Sequence, residues 1–222
     1  MKKKLLILSI SLALTSATSI LHAEGNLNAG KQKVTSCSSC HGDNGNSIVA
    51  TFPKLAQQHS SYLAQQLHAF KDGSRNDPMM SALALTLTDE DIDDISAYYA
   101  TQKISGNTLP ILDTDDDDEG EKPVSNKDIQ TLIAQGSDLY RNGDLTREVS
   151  ACIACHGPFG EGNKPASFPA LKSQHADYLI KTLTDFKSGS RSNNPENIMH
   201  MIAKKMTDEE IKAVSYRISM MK

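Results

Sequence analysis

Cys37-Ser38-Ser39-Cys40-His41 is echoed 115 residues later by Cys152-Ile153-Ala154-Cys155-His156. Each stretch reads C-x-x-C-H, the attachment signature of a c-type haem. In that reading the two cysteines form thioethers to the haem vinyl groups, and the adjacent histidine supplies one axial ligand to the iron. These four residues are the only cysteines in the chain. Three other readings compete. Two structural disulfides are compatible with an exported chain but give no reason for a histidine after each second cysteine. One four-cysteine zinc site would draw ligands from distant parts of the chain and leaves both histidines unexplained. A thioredoxin-like redox pair wants a βαβ setting that the sequence does not offer.

The N-terminus carries the marks of export. Lys2, Lys3 and Lys4 form a basic region, Leu5 to Leu14 a short apolar run, and Leu21-His22-Ala23 a cleavage site with Ala23 last. The apolar run is too short to span a bilayer. Without residues 1–23 the chain keeps 20 Lys and Arg against 27 Asp and Glu, a net charge of −7. Haem propionates would make it more negative. That balance argues against nucleic-acid partners and against docking by charge on anionic lipid.

The second haem signature invites a search for internal repeats. Phe52-Pro53-x-Leu55 returns as Phe168-Pro169-x-Leu171, and Gln58-His59-x-x-Tyr62-Leu63 as Gln174-His175-x-x-Tyr178-Leu179. Leu67, Phe70-Lys71 and Gly73-Ser74-Arg75 return as Leu183, Phe186-Lys187 and Gly189-Ser190-Arg191, all at an offset of 116. Three residues further out of step, Leu87-Thr88-Asp89-Glu90-Asp91-Ile92 returns as Met206-Thr207-Asp208-Glu209-Glu210-Ile211. One domain of about ninety residues is duplicated, too few copies for a solenoid.

Each copy reads as helical. Residues near 28–36 and 126–141 suit an opening helix. Leu63, Leu67 and Phe70 fall on one apolar face, as do Leu179, Leu183 and Phe186. Gly73 and Gly189 are placed to stop that helix. Thr207-x-x-Glu210 is a capping box opening the last helix, and Thr88-x-x-Asp91 a weaker version. No run alternates as a strand would, so an all-α fold is expected. The second copy carries extra residues, Asn142 to Val149, before its haem signature. The expected division is a signal peptide over 1–23, a first haem-binding domain over 24–104, an acidic linker over 105–123 and a second haem-binding domain over 124–222. The linker holds Asp113, Asp115 to Asp118, Glu119 and Glu121, whose mutual repulsion favours an extended, solvated chain. A calcium loop is the alternative, but the EF-hand spacing is missing.

Two C-x-x-C-H signatures, each followed by F-P-x-L, Q-H-x-x-Y-L and G-S-R before a methionine, resemble the dihaem cytochrome c4 family over nearly the whole exported chain. The acidic linker and the extra residues before the second signature depart from it. The resemblance implies two small all-α cytochrome c domains whose haems face each other across a pseudo-twofold interface. It also implies electron transfer in the periplasm, commonly toward a terminal oxidase.

An iron that only shuttles electrons benefits from six ligands, and a thioether opposite histidine raises its potential. The first copy offers Met79 and Met80, the second Met199, Met201 and Met206. Counting seven back from Leu87 and from Met206 gives Met80 and Met199, the matched pair. The expected axial set is therefore His41 and Met80 at one iron, His156 and Met199 at the other, with Cys37, Cys40, Cys152 and Cys155 holding two haem c groups. The same methionines read otherwise as core filler. Pro53 and Pro169 are either acceptors for the axial imidazoles or turn prolines. Arg75 and Arg191 are either propionate partners or solvated. His59 and His175 are read as surface or propionate-contacting side chains, with surface favoured. His68 and His200 have no counterpart and receive no role.

The function expected is a soluble periplasmic dihaem electron carrier, not an enzyme. A quinol oxidoreductase or another donor would reduce it, a terminal oxidase would oxidise it, and it would meet membranes only through such partners. Residues 24–105 have a net charge of −3 and residues 124–222 of +2, so the halves can favour different partners. A cytochrome subunit of a periplasmic dehydrogenase is the alternative. A dihaem peroxidase needs a displaceable ligand, which matched methionines argue against.

Overall fold

The computed structural model describes residues 25–109 and 126–222, excluding the side chains of residues 126, 127 and 195. The stretch expected as a signal peptide and the acidic run fall outside the described residues. Among the described residues ten α-helices run in order: α1 (Leu27–Lys33), α2 (Thr35–His41), α3 (Ser60–Asp72), α4 (Pro78–Ala84), α5 (Asp89–Thr101), α6 (Asn126–Asn142), α7 (Ile153–His156), α8 (Ala176–Ser188), α9 (Ile198–Ala203) and α10 (Asp208–Ser219). Among the described residues there is no strand, only isolated bridges between Asp144 and Val149 and between Asn163 and Phe168.

Local chemistry explains most of these boundaries. Asn26 caps α1 through its side chain, which accepts from the N–H groups of Asn28 and Ala29. Gly73 and Gly189 close α3 and α8 in the left-handed conformation, each at φ 81°. The capping boxes at Thr88 and Thr207 are both complete, so Asp91 serves as well as Glu210.

Each copy builds its own core. Val34, Leu63, Ile95 and Tyr99 are buried together, with Leu55, Leu67, Leu87 and Cys37 packed against them. In the second copy Leu139, Tyr140, Leu179, Ile211, Val214 and Ile218 do the same, with Cys152 and Ile153 alongside. Cys37 and Cys152 thus sit at the edge of a buried apolar cluster, where a porphyrin face would continue it.

The first and last helices of each copy cross closely. A Cβ on Gly30 would overlap the Asp94 carbonyl, and one on Gly136 would overlap the Ala213 carbonyl. Gly30 and Gly136 are therefore equivalent at an offset of 106, against 115 at the cysteines. The sequence comparison did not align this stretch because the nine added residues break the register. Part of that addition folds back as a tight turn: Asp144 and Val149 exchange both backbone hydrogen bonds, at 2.9 and 2.8 Å.

The two copies handle one structural demand differently. In the first, Lys33 of α1 bonds both Asp91 and Asp94 of α5, at 2.8 and 2.6 Å. In the second, Leu139 and Ala213 occupy the places of Lys33 and Asp94, both buried. The cation beside Glu210 comes instead from Arg147 in the added turn, which also bonds Asp144. An ion pair and an apolar contact fill the same crossing.

Candidate functional site

The C-x-x-C-H spacing acquires its meaning from the helix. In α2, Cys37, Cys40 and His41 stand at i, i+3 and i+4, on one face. Cys152 caps α7, and Cys155 and His156 lie within it. Gly42 and Gly157 end these helices at φ 78° and 76°. A side chain on Gly42 would meet the Asn46 carbonyl. These glycines belong to the site and were missed in the sequence, although each directly follows its histidine. All four thiols are free, so neither pair is a disulfide. Among the described residues no three His, Cys, Asp or Glu side chains converge as a metal cluster, which removes the four-cysteine zinc reading. Burial pushes the Cys37 thiol up, and that of Cys152 up to about 11.

A shared loop geometry then orients each histidine. The Gly45 carbonyl accepts the N–H groups of Leu55 and Ala56 at 2.7 and 3.0 Å, and the Gly160 carbonyl accepts those of Leu171 and Lys172 at 2.7 and 3.1 Å. This fold-back brings the Pro53 carbonyl to 2.9 Å from His41 Nδ1 and the Pro169 carbonyl to 2.9 Å from His156 Nδ1. The acceptor reading of both prolines is the one realised. A carbonyl can only accept, so Nδ1 carries the proton and Nε2 of the neutral ring holds a lone pair. Burial lowers both imidazole pKa values, partly opposed by the proline carbonyls, which favours that neutral ring. Each copy thus presents two thiols and one imidazole nitrogen with its second nitrogen already engaged, the donor set suited to a covalent haem.

The methionines sort by exposure. Met79 is 53% and Met201 48% exposed, whereas Met80 and Met199 are half-buried. Met206 is buried in the second core and packs there as filler. The Met80 N–H is held by Asp77 Oδ1 at 3.0 Å and the Met199 N–H by Asn194 Oδ1 at 2.9 Å.

The surface readings of Arg75, Arg191, His59 and His175 need correction. Arg191 is only 7% exposed, and its guanidinium bonds the Tyr62 hydroxyl at 3.0 Å and Gln66 Oε1 at 2.9 Å, both in the other copy. Arg75 bonds Gln66 at 2.9 Å and Tyr178 of the other copy at 3.2 Å. Each guanidinium also stacks on a phenylalanine, Phe70 at 4.4 Å and Phe186 at 4.6 Å. Among the described residues neither arginine has a carboxylate within ion-pair distance. Burial raises the Tyr178 hydroxyl, but the two guanidiniums beside it outweigh that and hold it below the usual tyrosine range. Two cations facing inward without an anion suit the carboxylates of haem propionates. His175 Nε2 lies 2.9 Å from the Ser47 carbonyl of the other copy, and His59 and His175 are both half-buried. These residues line the boundary between copies because the duplicated segments face one another. His200, which had no assigned role, pairs its Nδ1 with the Phe186 carbonyl at 2.7 Å. Ser105 and Asn107, within the stretch expected as linker, are bonded too: Lys54 Nζ donates to both, and Asn107 Nδ2 donates to Ser173, Gln174 and Ser219 carbonyls.

Comparison with known proteins agrees with this arrangement. The family model "Cytochrome c" matches twice, over residues 27–103 and 133–219. A cytochrome c4 of Pseudomonas aeruginosa is 41% identical over 94% of this chain and 95% of its own length. A thiosulfate dehydrogenase electron acceptor of Thiomonas intermedia is 35% identical over 84% of this chain and 79% of its own. Among solved structures, reduced cytochrome c4 from Pseudomonas stutzeri superposes with a TM-score of 0.78 at 36% identity, covering 89% of this chain and all of that one. The chain therefore belongs to the cytochrome c family, as a tandem, two-haem relative of cytochrome c4: an electron-transfer protein with two covalent haem c groups, not an enzyme.

Proposed function

We propose that this protein carries electrons in the periplasm from a quinol oxidoreductase or a similar donor to a terminal oxidase. Cys37 and Cys40 would anchor one haem and Cys152 and Cys155 the other. His41 with Met80, and His156 with Met199, would be the axial ligands. The observation that carries this reading is the matched pair of imidazoles, each with Nδ1 2.9 Å from a proline carbonyl. An imidazole fixed in orientation and tautomer leaves its Nε2 aimed for one partner only. A bound haem supplies reversible one-electron chemistry at its iron. The protein's part is to hold both axial donors through the redox change, so that little reorganises, and to keep water from the buried histidine side. The first half is the more negative of the two, a difference that suits the halves to different partners.

The named function of the Thiomonas relative supports a second reading, in which the donor is a periplasmic dehydrogenase of a small sulfur compound. Reduced protein can be mixed with membranes containing a terminal oxidase, and oxidised protein with thiosulfate dehydrogenase and thiosulfate. Fast reoxidation by the membranes supports the first reading. Reduction by the dehydrogenase without reoxidation by the membranes supports the second. Carbon monoxide binding by the unmodified reduced protein would sink both carrier readings.

A further inference from the structure

The two copies are joined by a reciprocal exchange that involves the same peptide groups as the histidines. The Lys54 N–H donates to Gln174 Oε1 at 2.8 Å, and Gln174 Nε2 donates back to the Lys54 carbonyl at 2.9 Å. In mirror fashion, the Ala170 N–H donates to Gln58 Oε1 at 2.9 Å and Gln58 Nε2 donates to the Ala170 carbonyl at 2.8 Å. Backbone N–H groups require the oxygen of each carboxamide to face them, so the amide orientations are set. Each oxygen also accepts the N–H of the following histidine, His59 at 2.9 Å and His175 at 3.0 Å.

Lys54 directly follows Pro53, and Ala170 directly follows Pro169. The N–H of Lys54 and the carbonyl of Pro53 are therefore the two ends of one conjugated peptide group, as are the N–H of Ala170 and the carbonyl of Pro169. One end of that peptide accepts from the histidine of its own copy. The other end donates to the glutamine of the opposite copy. Gln58, Gln174, Lys54, His41 and His156 are all buried, so water does not compete for these bonds.

We propose that Gln174 and Gln58 are positioning residues that act across the domain boundary, each setting the electron density on the axial histidine of the other domain's haem. The inference rests on the axial role given above to His41 and His156. Donation of the Lys54 N–H to Gln174 shifts charge toward the Pro53 oxygen, because successive hydrogen bonds through a peptide reinforce one another. A more negative Pro53 oxygen draws the Nδ1 proton of His41 and enriches Nε2. A richer nitrogen ligand favours the ferric state, so the glutamine of one domain lowers the potential of the other's iron. The bond exists only when the domains are docked. Docking and potential are thereby coupled, in both directions and symmetrically.

Gln174→Met and Gln58→Met in the full dihaem protein test this. Methionine keeps the volume and removes the hydrogen bonds. Two readouts are followed: the potential of each haem in a resolved redox titration, and the hyperfine-shifted axial-imidazole Nδ1–H resonance of each ferric centre. Gln174→Met should raise the potential at the Cys37–His41 centre and move that centre's imidazole resonance, leaving the Cys152–His156 centre near its parent values. Gln58→Met should do the reverse. A shift at the glutamine's own centre, equal shifts at both, or none would overturn the proposal. Tyr178→Phe removes an Arg75 contact at the same boundary without touching either peptide. If it reproduces the Gln174→Met shift, loosened docking is the cause and the relay is wrong. Should Gln174→Met not fold, Gln174→Glu retains an acceptor for the Lys54 N–H and strengthens it. It should lower the Cys37–His41 potential more than the other, and equal lowering would overturn the idea. An imidazole resonance missing from the parent would instead refute the axial assignment, and the relay would fall with it.

Discussion

Arg191 and Tyr62 lie 129 positions apart and meet at 3.0 Å, guanidinium to hydroxyl, while Arg75 and Tyr178 meet at 3.2 Å in the equivalent place. The pairing is reciprocal because the duplicated halves pack face to face about a pseudo-twofold relation. Tyr62→Phe deletes one acceptor of a buried guanidinium. It should cost about 1.5–3 kcal/mol, the range for a hydrogen bond to a charged group. Tyr178→Phe should cost at least as much, because its hydroxyl lies beside both guanidiniums. Urea unfolding of the full protein measures both, and midpoints equal to the parent would show that the contacts contribute nothing.

Met80→Ala should abolish the methionine–iron absorption of one haem, lower its potential and open it to carbon monoxide. Met199→Ala should do the same at the other haem. Met79→Ala and Met201→Ala should leave both spectra intact, since these side chains face solvent. Loss of the band in either of those two variants would show that the register between the copies is misassigned.

Acid should weaken the first copy through Asp94. Hydrogen bonding to Lys33 holds this nearly buried carboxyl below its ordinary value of 3.8, outweighing the opposing effect of burial. A carboxyl depressed in the folded state stabilises fully above its unfolded pKa, and that stabilisation disappears as pH falls through the folded value. Asp94→Asn should therefore flatten the loss of stability below about pH 4. Far-UV circular dichroism during acid titration of parent and variant compares them, and identical acid profiles would count against the role of Asp94.

Gly30→Ala and Gly136→Ala place a methyl into a backbone carbonyl of the crossing helix. Backbone cannot move aside as a flexible side chain can, so each should cost at least about 1–3 kcal/mol, the usual cost of overpacking. Gly73→Ala is the contrast: no atom lies within 4 Å of its added Cβ, and only the left-handed φ of 81° opposes it. Thermal unfolding ranks the three, and an unperturbed Gly136→Ala would mean that the α6–α10 crossing has room to spare.

Local features of this protein were legible in the sequence because they depend on neighbours in the chain. The spacing of Cys37, Cys40 and His41 is one helical turn, the threonine caps at Thr88 and Thr207 act on residues three positions on, and Gly73 and Gly189 stop their helices by their own backbone freedom. The duplication was readable for the same reason, as segments compared at one offset. Tertiary structure decided what lies between the copies. Arg75 and Arg191 stayed open between haem propionates and solvent, and His175 read as surface, because the partners across the boundary are Tyr178, Tyr62 and Ser47, each more than a hundred residues away. Arg147 could not be given a role from its position in an insertion, since its need arises only where Leu139 and Ala213 have replaced the Lys33–Asp94 pair at the helix crossing. Burial of a charge or an amide is a property of two surfaces brought together, and a single stretch of chain carries only one of them.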